Sequence, residues 1–133
     1  MKLSSLDELL YRQVHPSFME DGVPSSAAFK PTPKDEGKLS LDRSSITTDE
    51  AAYILHTEGK SLASIGVYGL LVGECEDSSL SCYSDPLPAT ELLPANPAHA
   101  YCDFTGVGAS RLKILAKRLK NHAVLRGQLF PRP

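Results

Sequence analysis

Hydrophobic positions follow a helical period most clearly near the C-terminus, over residues 111–126. Apolar side chains recur there at spacings of three and four, with lysines and arginines beside them. The apolar positions are Leu112, Leu115, Ala116, Leu119 and Ala123. Such a stripe is typical of a helix that packs one face on a core. Because Ser110 can cap this segment and Gly127 can end it, the pattern predicts a helix from Arg111 to Arg126.

Two shorter helices are predicted from capping signals. In residues 4–11 a serine can cap a helix that has two acidic residues in its first turn and leucines on one face. The T-x-x-E pattern from Thr47 to Glu50 is a capping box, and Gly59 ends the apolar run that follows it. Residues 11–14 either continue the first helix or begin a strand.

Three segments have the pattern of strands. Residues 62–73 are apolar on both faces, which is typical of a central strand, and their three glycines indicate a bulge or a close approach by a helix or ligand. Residues 99–104 alternate between apolar and polar positions, and residues 38–42 do so over a shorter length. We expect the first two of these strands to be neighbours, with residues 74–97 forming a long connection.

Residues 11–48 have the composition of a loop but carry apolar anchors. Four prolines prevent any long regular element there, and four apolar side chains can hold the loop on a core. These anchors are Phe18, Phe29, Leu39 and Leu41. Taken with the helices and strands, the pattern predicts one α+β domain over residues 1–133. It would have a small mixed sheet, about three packed helices and a long ordered N-terminal loop.

Charge divides the chain into an acidic body and a basic end. All 16 Asp and Glu residues lie in residues 1–103, whereas residues 104–133 hold half of the 14 Lys and Arg residues. The basic helix can either complement the acidic surface of its own body or bind an acidic partner. The candidate partner-binding side chains are Lys113, Lys117, Arg118 and Lys120. A nucleic-acid partner is disfavoured, because the helix lacks a helix-turn-helix partner and aromatic platforms.

The three cysteines indicate a reducing compartment rather than a disulfide framework. They are odd in number, and the interval between Cys75 and Cys82 is not one that zinc sites use. Free, buried thiols in a cytoplasmic protein are therefore expected. No apolar run is long enough to span a bilayer, and neither a metal site nor a cofactor is predicted.

The N-terminal loop carries the residues best suited to binding a ligand. Arg12 offers a permanent charge for a phosphate or carboxylate, and His15 is a natural acid or base at neutral pH. Other polar groups can line an anion or nucleotide pocket: Ser25, Ser26, Thr32, Lys34, Lys38 and Ser40. A structural role is the favoured interpretation of these residues, with Arg12 paired to a carboxylate, His15 capping a turn and the hydroxyls satisfying the loop itself.

Two carboxylates have positions that suit catalysis. Glu74 follows the apolar strand of residues 62–73, where either a catalytic acid or an exposed glutamate is expected. His99 and Asp103 share one strand face, where they fit an acid–base pair, two metal ligands or simple packing. If the protein is an enzyme, its candidate catalytic residues are His15, Glu74 and Asp103.

Two resemblances follow from these motifs. VHPSF, SSAAFKPTPKDEGKLSLDR, TTDEA and NPAHA, with a terminal helix ending in RG, resemble a family of small, uncharacterised bacterial proteins. LYRQVH followed by SSAAF is similar to the opening of ADP-ribosyltransferase-like domains, where an Arg or His on the first strand and a Ser-rich second strand hold NAD. This second likeness covers residues 10–29 and implies that Arg12, His15 and Ser26 hold the ligand. The late catalytic glutamate of such domains is matched by residue type alone, at Glu74 and Glu91.

The sequence thus supports two functions of different kinds. The favoured one is a small cytosolic interaction module that binds a protein, as a subunit or regulator in a bacterial toxin, defence or regulatory system. The alternative is a nucleotide- or NAD-using enzyme of the ADP-ribosyltransferase-like type. The enzyme hypothesis requires Arg12, His15, Ser26 and a carboxylate to converge on one concave site.

Overall fold

The computed structural model describes all 133 residues, from Met1 to Pro133. Its strands are β1 (Leu9–Val14), β2 (Met19–Glu20), β3 (Val23–Pro24), β4 (Lys38–Arg43), β5 (Gly66–Leu71), β6 (Cys82–Ser84) and β7 (His99–Asp103). Its α-helices are α1 (Asp49–Ile54), α2 (Val72–Asp77) and α3 (Ala109–Arg126). The α+β class that the sequence predicts is therefore confirmed.

Five strands form one sheet in the order β5-β1-β4-β7-β6, while β2 and β3 pair separately. Every pair is antiparallel, whereas the sequence suggested a mixed sheet. The strand predicted over residues 62–73 is present as β5, but it lies at the edge of the sheet rather than at its centre. Its predicted pairing with the strand of residues 99–104 is wrong, because β1 and β4 lie between β5 and β7.

The predicted helix over residues 4–11 is also wrong, because residues 9–14 form β1. This strand pairs with β5 from Leu9↔Leu71 to Val14↔Gly66. Leu10 and Val14 are fully buried in the main core, while Tyr11 is buried in a second cluster on the other face. A strand buries residues on both of its faces, which a short helix with one apolar stripe does not do. Tertiary packing therefore overrides the local capping signal.

The C-terminal helix packs on the sheet as predicted. Leu115, Leu119 and Ala123 of α3 are buried in the main core cluster. The helix begins after Gly108 rather than after Ser110, and it ends at Gly127, whose φ of 92° is one that glycine adopts without strain.

The helix predicted after the capping box is present as α1, with its cap shifted by one residue. Thr48 accepts a hydrogen bond from the amide of Ala51 at 3.1 Å, so Thr48 rather than Thr47 is the N-cap. A π-helical turn, Leu55–Gly59, continues α1 up to the predicted stop. No helix in the structure combines the length and apolar character needed to cross a bilayer.

The N-terminal loop is held by the predicted anchors. Short 3-10 turns form at Pro16–Phe18, Ser26–Phe29 and Pro33–Asp35. Phe29 is fully buried, and Leu39 and Leu41 on β4 join the same core. Residues 74–97, which the sequence treats as one long connection, instead contain most of α2 and all of β6.

The outer edge of β5 is covered by the C-terminal segment. The amide of Val67 donates to the carbonyl of Phe130 at 2.7 Å, and the amide of Leu129 donates to Val67 at 2.8 Å. A Cβ at Gly66 would lie 2.8 Å from the carbonyl oxygen of Phe130. The close approach that the strand glycines predict is therefore made by the chain's own C-terminus, which also caps an exposed sheet edge.

Candidate functional site

One cleft gathers most of the polar groups that the sequence singled out. It has a volume of about 430 Å³ and opens where β1 and β4 separate, beside the N-terminal loop and the turn after α1. We call it the Arg12 cleft. Its charged or catalytically capable lining residues are Arg12, His15, Lys34, Asp35, Ser40, Asp42, His56, Lys60 and His99. Arg12 and His15 therefore converge, as the enzyme hypothesis requires.

Arg12 fastens the loop to the sheet. β1 and β4 pair only at Leu10↔Arg43 and Tyr11↔Asp42. Beyond this point the Arg12 guanidinium bridges the gap, since Nε donates to the carbonyl of Ala28 at 2.7 Å and NH1 donates to the carbonyl of Ser40 at 3.0 Å. Burial lowers the pKa of Arg12 to about 10 against the opposing charge of Asp35, so the group remains a cation at neutral pH.

A guanidinium has five N–H donors, and only two of those in Arg12 are used by the protein. The sequence suggested a carboxylate as the partner of Arg12, but its acceptors in the structure are the backbone carbonyls of Ala28 and Ser40. The remaining donors are free to bind an anion in the cleft. Arg12 can therefore hold the fold and contact a ligand at the same time.

A serine, a histidine and an aspartate form a hydrogen-bonded chain at one wall of the Arg12 cleft. His99 Nδ1 lies 3.1 Å from Asp85 Oδ2 and 3.1 Å from the Asp85 carbonyl oxygen. His99 Nε2 lies 3.3 Å from Ser40 Oγ. Since both partners of Nδ1 are acceptors, Nδ1 carries the proton and Nε2 accepts from Ser40. This is the order of atoms that activates a serine nucleophile.

The two acids of the cleft are held by neutral donors rather than by cations. Asp42 Oδ1 accepts from the side-chain amide of Asn96, which is buried, at 2.8 Å. Asp35 Oδ2 accepts from the amide and hydroxyl of Thr32, each at 2.7 Å. Burial tends to raise the pKa of Asp35, but these hydrogen bonds and the charges of Arg12 and Lys34 hold it below its usual value. Neither acid forms an ion pair with a cleft cation.

Two further histidines lie in the cleft, in different surroundings. His15 is exposed, and its Nδ1 accepts from the amide of Ser17 at 3.0 Å, which is the turn-capping role that the sequence suggested. His56 is half-buried, and burial together with the charge of Lys60 lowers its pKa. Both effects disfavour the charged form of His56.

Several predicted ligand residues lie outside the Arg12 cleft. Ser25 and Ser26 line a separate depression with Lys117 and Lys120, so Ser26 does not join Arg12 and His15. Lys38 Nζ lies 5.0 Å from the centre of the Tyr101 ring. Asp103 accepts from the amide of Thr105 at 2.8 Å, as in a turn. Of the predicted ligand set, Arg12, His15, Lys34 and Ser40 are the members that meet.

Glu74 serves the packing of α3. Its carboxylate accepts from Arg126 NH2 at 2.7 Å and from the Leu71 amide at 2.8 Å, and it lies 3.1 Å from His122 Nδ1. Burial tends to raise the pKa of Glu74, but the hydrogen bonds and charges of these groups hold it below its usual value of 4.5. Glu74 thus links α2 to α3 and lies outside the Arg12 cleft.

Most basic side chains of α3 are unpaired. Lys113, Lys117 and Arg118 are exposed and form no ion pair, and Lys120 also forms none. On this helix only Arg126 and His122 contact an acid. The acidic body therefore pairs directly only with the C-terminal end of the basic helix, through Glu74.

The sequence did not identify Asp85 or His56 as members of the site. It paired His99 with Asp103, whereas the partners of His99 are Ser40 on another strand and Asp85 in a loop. His56, which follows α1, also lies in the cleft. Strand register places Asp42 opposite His99 and Ser40 opposite Tyr101, and no local motif encodes that pairing.

A larger cavity, of about 560 Å³, lies between the N-terminal loop and the turn before α3. Its lining is mainly backbone, proline and apolar side chains, with Lys30 and Glu36 as its charged groups. It brings together no hydrogen-bonded catalytic set, so the Arg12 cleft is the better candidate site. Comparison with protein-family models, with curated proteins and with solved structures finds no match.

We predict that Glu74→Gln makes stability less dependent on pH. A carboxyl whose pKa is lower in the folded state stabilises the fold above its unfolded pKa, and this contribution is lost as the pH falls through the folded pKa. Urea unfolding at about pH 7 and about pH 3 should therefore show a large deficit for Glu74→Gln at the higher pH and a small one at the lower.

Glu91→Gln is the matched control, because Glu91 is exposed and forms no ion pair. It should change stability little at either pH. An equal deficit for Glu74→Gln at both pH values would show that the Glu74–Arg126 contact does not depend on charge.

Proposed function

We propose that the Arg12 cleft binds a nucleotide-sized phosphoester and that Ser40, activated by His99 and Asp85, attacks its phosphorus. The observation that carries this proposal is the meeting of the Arg12 guanidinium and the Ser40–His99–Asp85 chain in one cleft. Like the enzyme hypothesis drawn from the sequence, this function uses a nucleotide-like ligand. Its catalytic residues are Ser40, His99 and Asp85 instead of His15, Glu74 and Asp103.

The charges of the cleft support an anionic ligand. Arg12, Lys34 and Lys60 are cations without an ion-pair partner, while Asp35 and Asp42 are already hydrogen-bonded to Thr32 and Asn96. A phosphate can therefore bind the cations without displacing an internal ion pair. The volume of about 430 Å³ lies within the range of small-molecule sites.

An unpaired donor in the lining supports the same conclusion. Gln13 lines the cleft, its carbonyl oxygen accepts from Ser64 Oγ at 2.8 Å, and its Nε2 is buried without a hydrogen-bond partner. A buried donor left unsatisfied costs about 1–3 kcal/mol. Because Nε2 is fully buried, a ligand oxygen would reach it only after the Gln13 side chain turns toward the cleft, and that contact would remove the cost.

The chemistry follows from the order of hydrogen bonds. His99 Nε2 takes the proton of Ser40 as Oγ attacks phosphorus, and Asp85 stabilises the imidazolium that forms. Arg12 faces the developing negative charge on the equatorial oxygens. His99 then returns the proton to the leaving alcohol. In a second step His99 takes a proton from water as the water oxygen attacks the phosphoserine phosphorus. The bond between Ser40 Oγ and phosphorus breaks, His99 returns the proton to Oγ, and the phosphate product leaves.

We predict that pyrophosphate and AMP raise the melting temperature of the protein and that Lys34→Ala weakens this effect. Loss of one phosphate contact should reduce affinity roughly tenfold, about 1.4 kcal/mol. Added salt should weaken binding further, because the attraction is between charges. Thermal-shift titrations at two salt concentrations measure both effects.

Lys113→Ala is the control for this experiment, since Lys113 is an exposed lysine outside the cleft. It should bind both probes as the wild type does. Equal weakening by the two substitutions would show a general attraction of the anion to positive charge rather than binding in the cleft.

We predict that Ser40→Ala and His99→Gln each reduce hydrolysis of a chromogenic phosphomonoester by about 10²–10⁴-fold while leaving AMP binding in place. Ser44→Ala is the control, because the Ser44 side chain lies outside the cleft. Release of the chromophore and the pH–rate profile are the measurements. If Ser40→Ala hydrolyses the ester at the wild-type rate, the serine is not the nucleophile, and the cleft is a binding site alone.

The interaction-module hypothesis retains support from a different surface. Ile114 is 57% exposed and Leu125 is 90% exposed on α3, among the unpaired side chains of Lys113, Lys117 and Arg118. Exposed apolar groups within a basic face suit a protein partner with an acidic, amphipathic surface. None of these α3 residues lines the Arg12 cleft, so one chain can serve both functions.

A further inference from the structure

The three cysteines, distant in the sequence, meet at one point in the core. Cys75 comes from α2, Cys82 from β6 and Cys102 from β7. Their sulfur atoms all lie within 4.8 Å of one another, each residue is fully buried, and none forms a disulfide. The spacing that argued against a zinc site gave no sign of this triangle, which we call the three-cysteine cluster.

The backbone fixes the geometry of the three-cysteine cluster. Cys82 and Cys102 are directly opposite each other in the β6–β7 pair. The carbonyl of Cys75 accepts from the amides of Ser78 at 3.0 Å and Leu80 at 2.9 Å, which holds the end of α2 against the start of β6. The three thiols are therefore organised before any ligand arrives.

The surroundings restrict which ligand can bind there. The cluster of possible ligands contains three thiols and no histidine or carboxylate. The same core holds apolar side chains such as Leu3, Val72 and Leu80. The buried polar residues of the protein are Ser78 and Asn96, so no buried lysine or arginine is available as a counterion for thiolates.

The charge of the bound ion decides which thiol-binding ion fits the three-cysteine cluster. Three thiolates carry three negative charges. A monovalent ion would leave two of these charges buried without a counterion, and a divalent ion would leave one, at a high desolvation cost. Zinc would in addition lack its fourth ligand. A trivalent centre leaves the complex neutral, which suits an apolar core.

We infer that the three-cysteine cluster is a binding site for trivalent arsenic of the arsenite class. With three equal bonds of about 2.3 Å to sulfur, the length typical of metal–thiolate bonds, the ligands of a planar centre would lie about 4.0 Å apart, and those of pyramidal trivalent arsenic somewhat closer. The observed separations, which are at most 4.8 Å, therefore need to shrink by roughly an ångström.

The reaction balances without an oxidant. Arsenous acid, As(OH)₃, exchanges its three hydroxyl groups for the three sulfurs. Three As–O bonds break, three As–S bonds form, and the three thiol protons leave in three molecules of water. Arsenic stays trivalent throughout. Both arsenous acid and the product are uncharged, so the step carries no net charge into the core.

Access requires a local opening. All three sulfurs belong to fully buried residues, and α2 has only six residues. Short elements at the periphery open more readily than the whole protein unfolds. Binding should therefore be slow and should accelerate in mild denaturant that leaves the fold intact, whereas exposed thiols would react at a rate independent of such opening.

We predict that reduced wild-type protein binds one equivalent of arsenite and that arsenic-edge X-ray absorption shows three sulfur neighbours. The chain has only three cysteines, so each As–S bond reports this cluster. Two sulfurs with one oxygen, or no uptake, would overturn the inference. This wild-type measurement does not depend on any variant folding.

Cys75→Ala, Cys82→Ala and Cys102→Ala provide the second test. Each variant that remains folded by circular dichroism should lose the three-sulfur signature. The probe phenylarsine oxide, which needs only two thiols, should still bind such a variant. Stronger 1:1 binding of Zn²⁺ or Cu⁺ than of arsenite by the wild type would contradict the charge argument.

Discussion

The guanidinium of Arg12 is the interaction on which the site depends. It lies where β1 and β4 stop pairing, and it joins Ala28 in the loop to Ser40 in the sheet through two carbonyl acceptors. Two strands that separate would leave unpaired backbone groups. The Arg12 side chain satisfies the Ser40 carbonyl and holds the loop over the gap between the strands. Its remaining N–H donors stay available for a ligand. The opening between the strands thereby becomes a cleft with a cation at its base.

The hydrogen-bonded chain of Ser40, His99 and Asp85 depends on the same interaction. The Ser40 carbonyl accepts from Arg12 and the Ser40 hydroxyl contacts His99, so one residue positions both the guanidinium and the proposed nucleophile. His99 is fixed in turn by Asp85. Polar networks of this kind strengthen one another in a partly buried setting, and each member sets the geometry of the next. The three-cysteine cluster belongs to the other face of the sheet, within the main core.

Local sequence patterns predicted the helices and strands that bury only one of their faces, such as α3, β7 and α1. The stripe of α3, the alternation of β7 and the capped α1 each carry a complete signal within one segment. β1 has no complete signal of this kind, because its two faces pack against different clusters. In addition, the serines and two acidic residues just before it match the pattern of a helix N-terminus. Arg12, His15, Lys34 and Ser40 were identifiable by residue type. Their separation from Ser26, and the pairing of His99 with Asp85, arise from strand register and loop path, which no short pattern records.

Hydrogen–deuterium exchange of Arg12→Lys against the wild type tests this account most directly. Lysine keeps the positive charge, but its ammonium group cannot reproduce the two hydrogen bonds that the planar guanidinium donates to Ala28 and Ser40. If the two hydrogen bonds of Arg12 hold the loop in place, backbone amides of residues 25–35 should exchange faster in the variant. The amides of α3 and β7 should keep wild-type protection. Unchanged exchange in residues 25–35, or a uniform increase along the whole chain, would contradict the central role of Arg12.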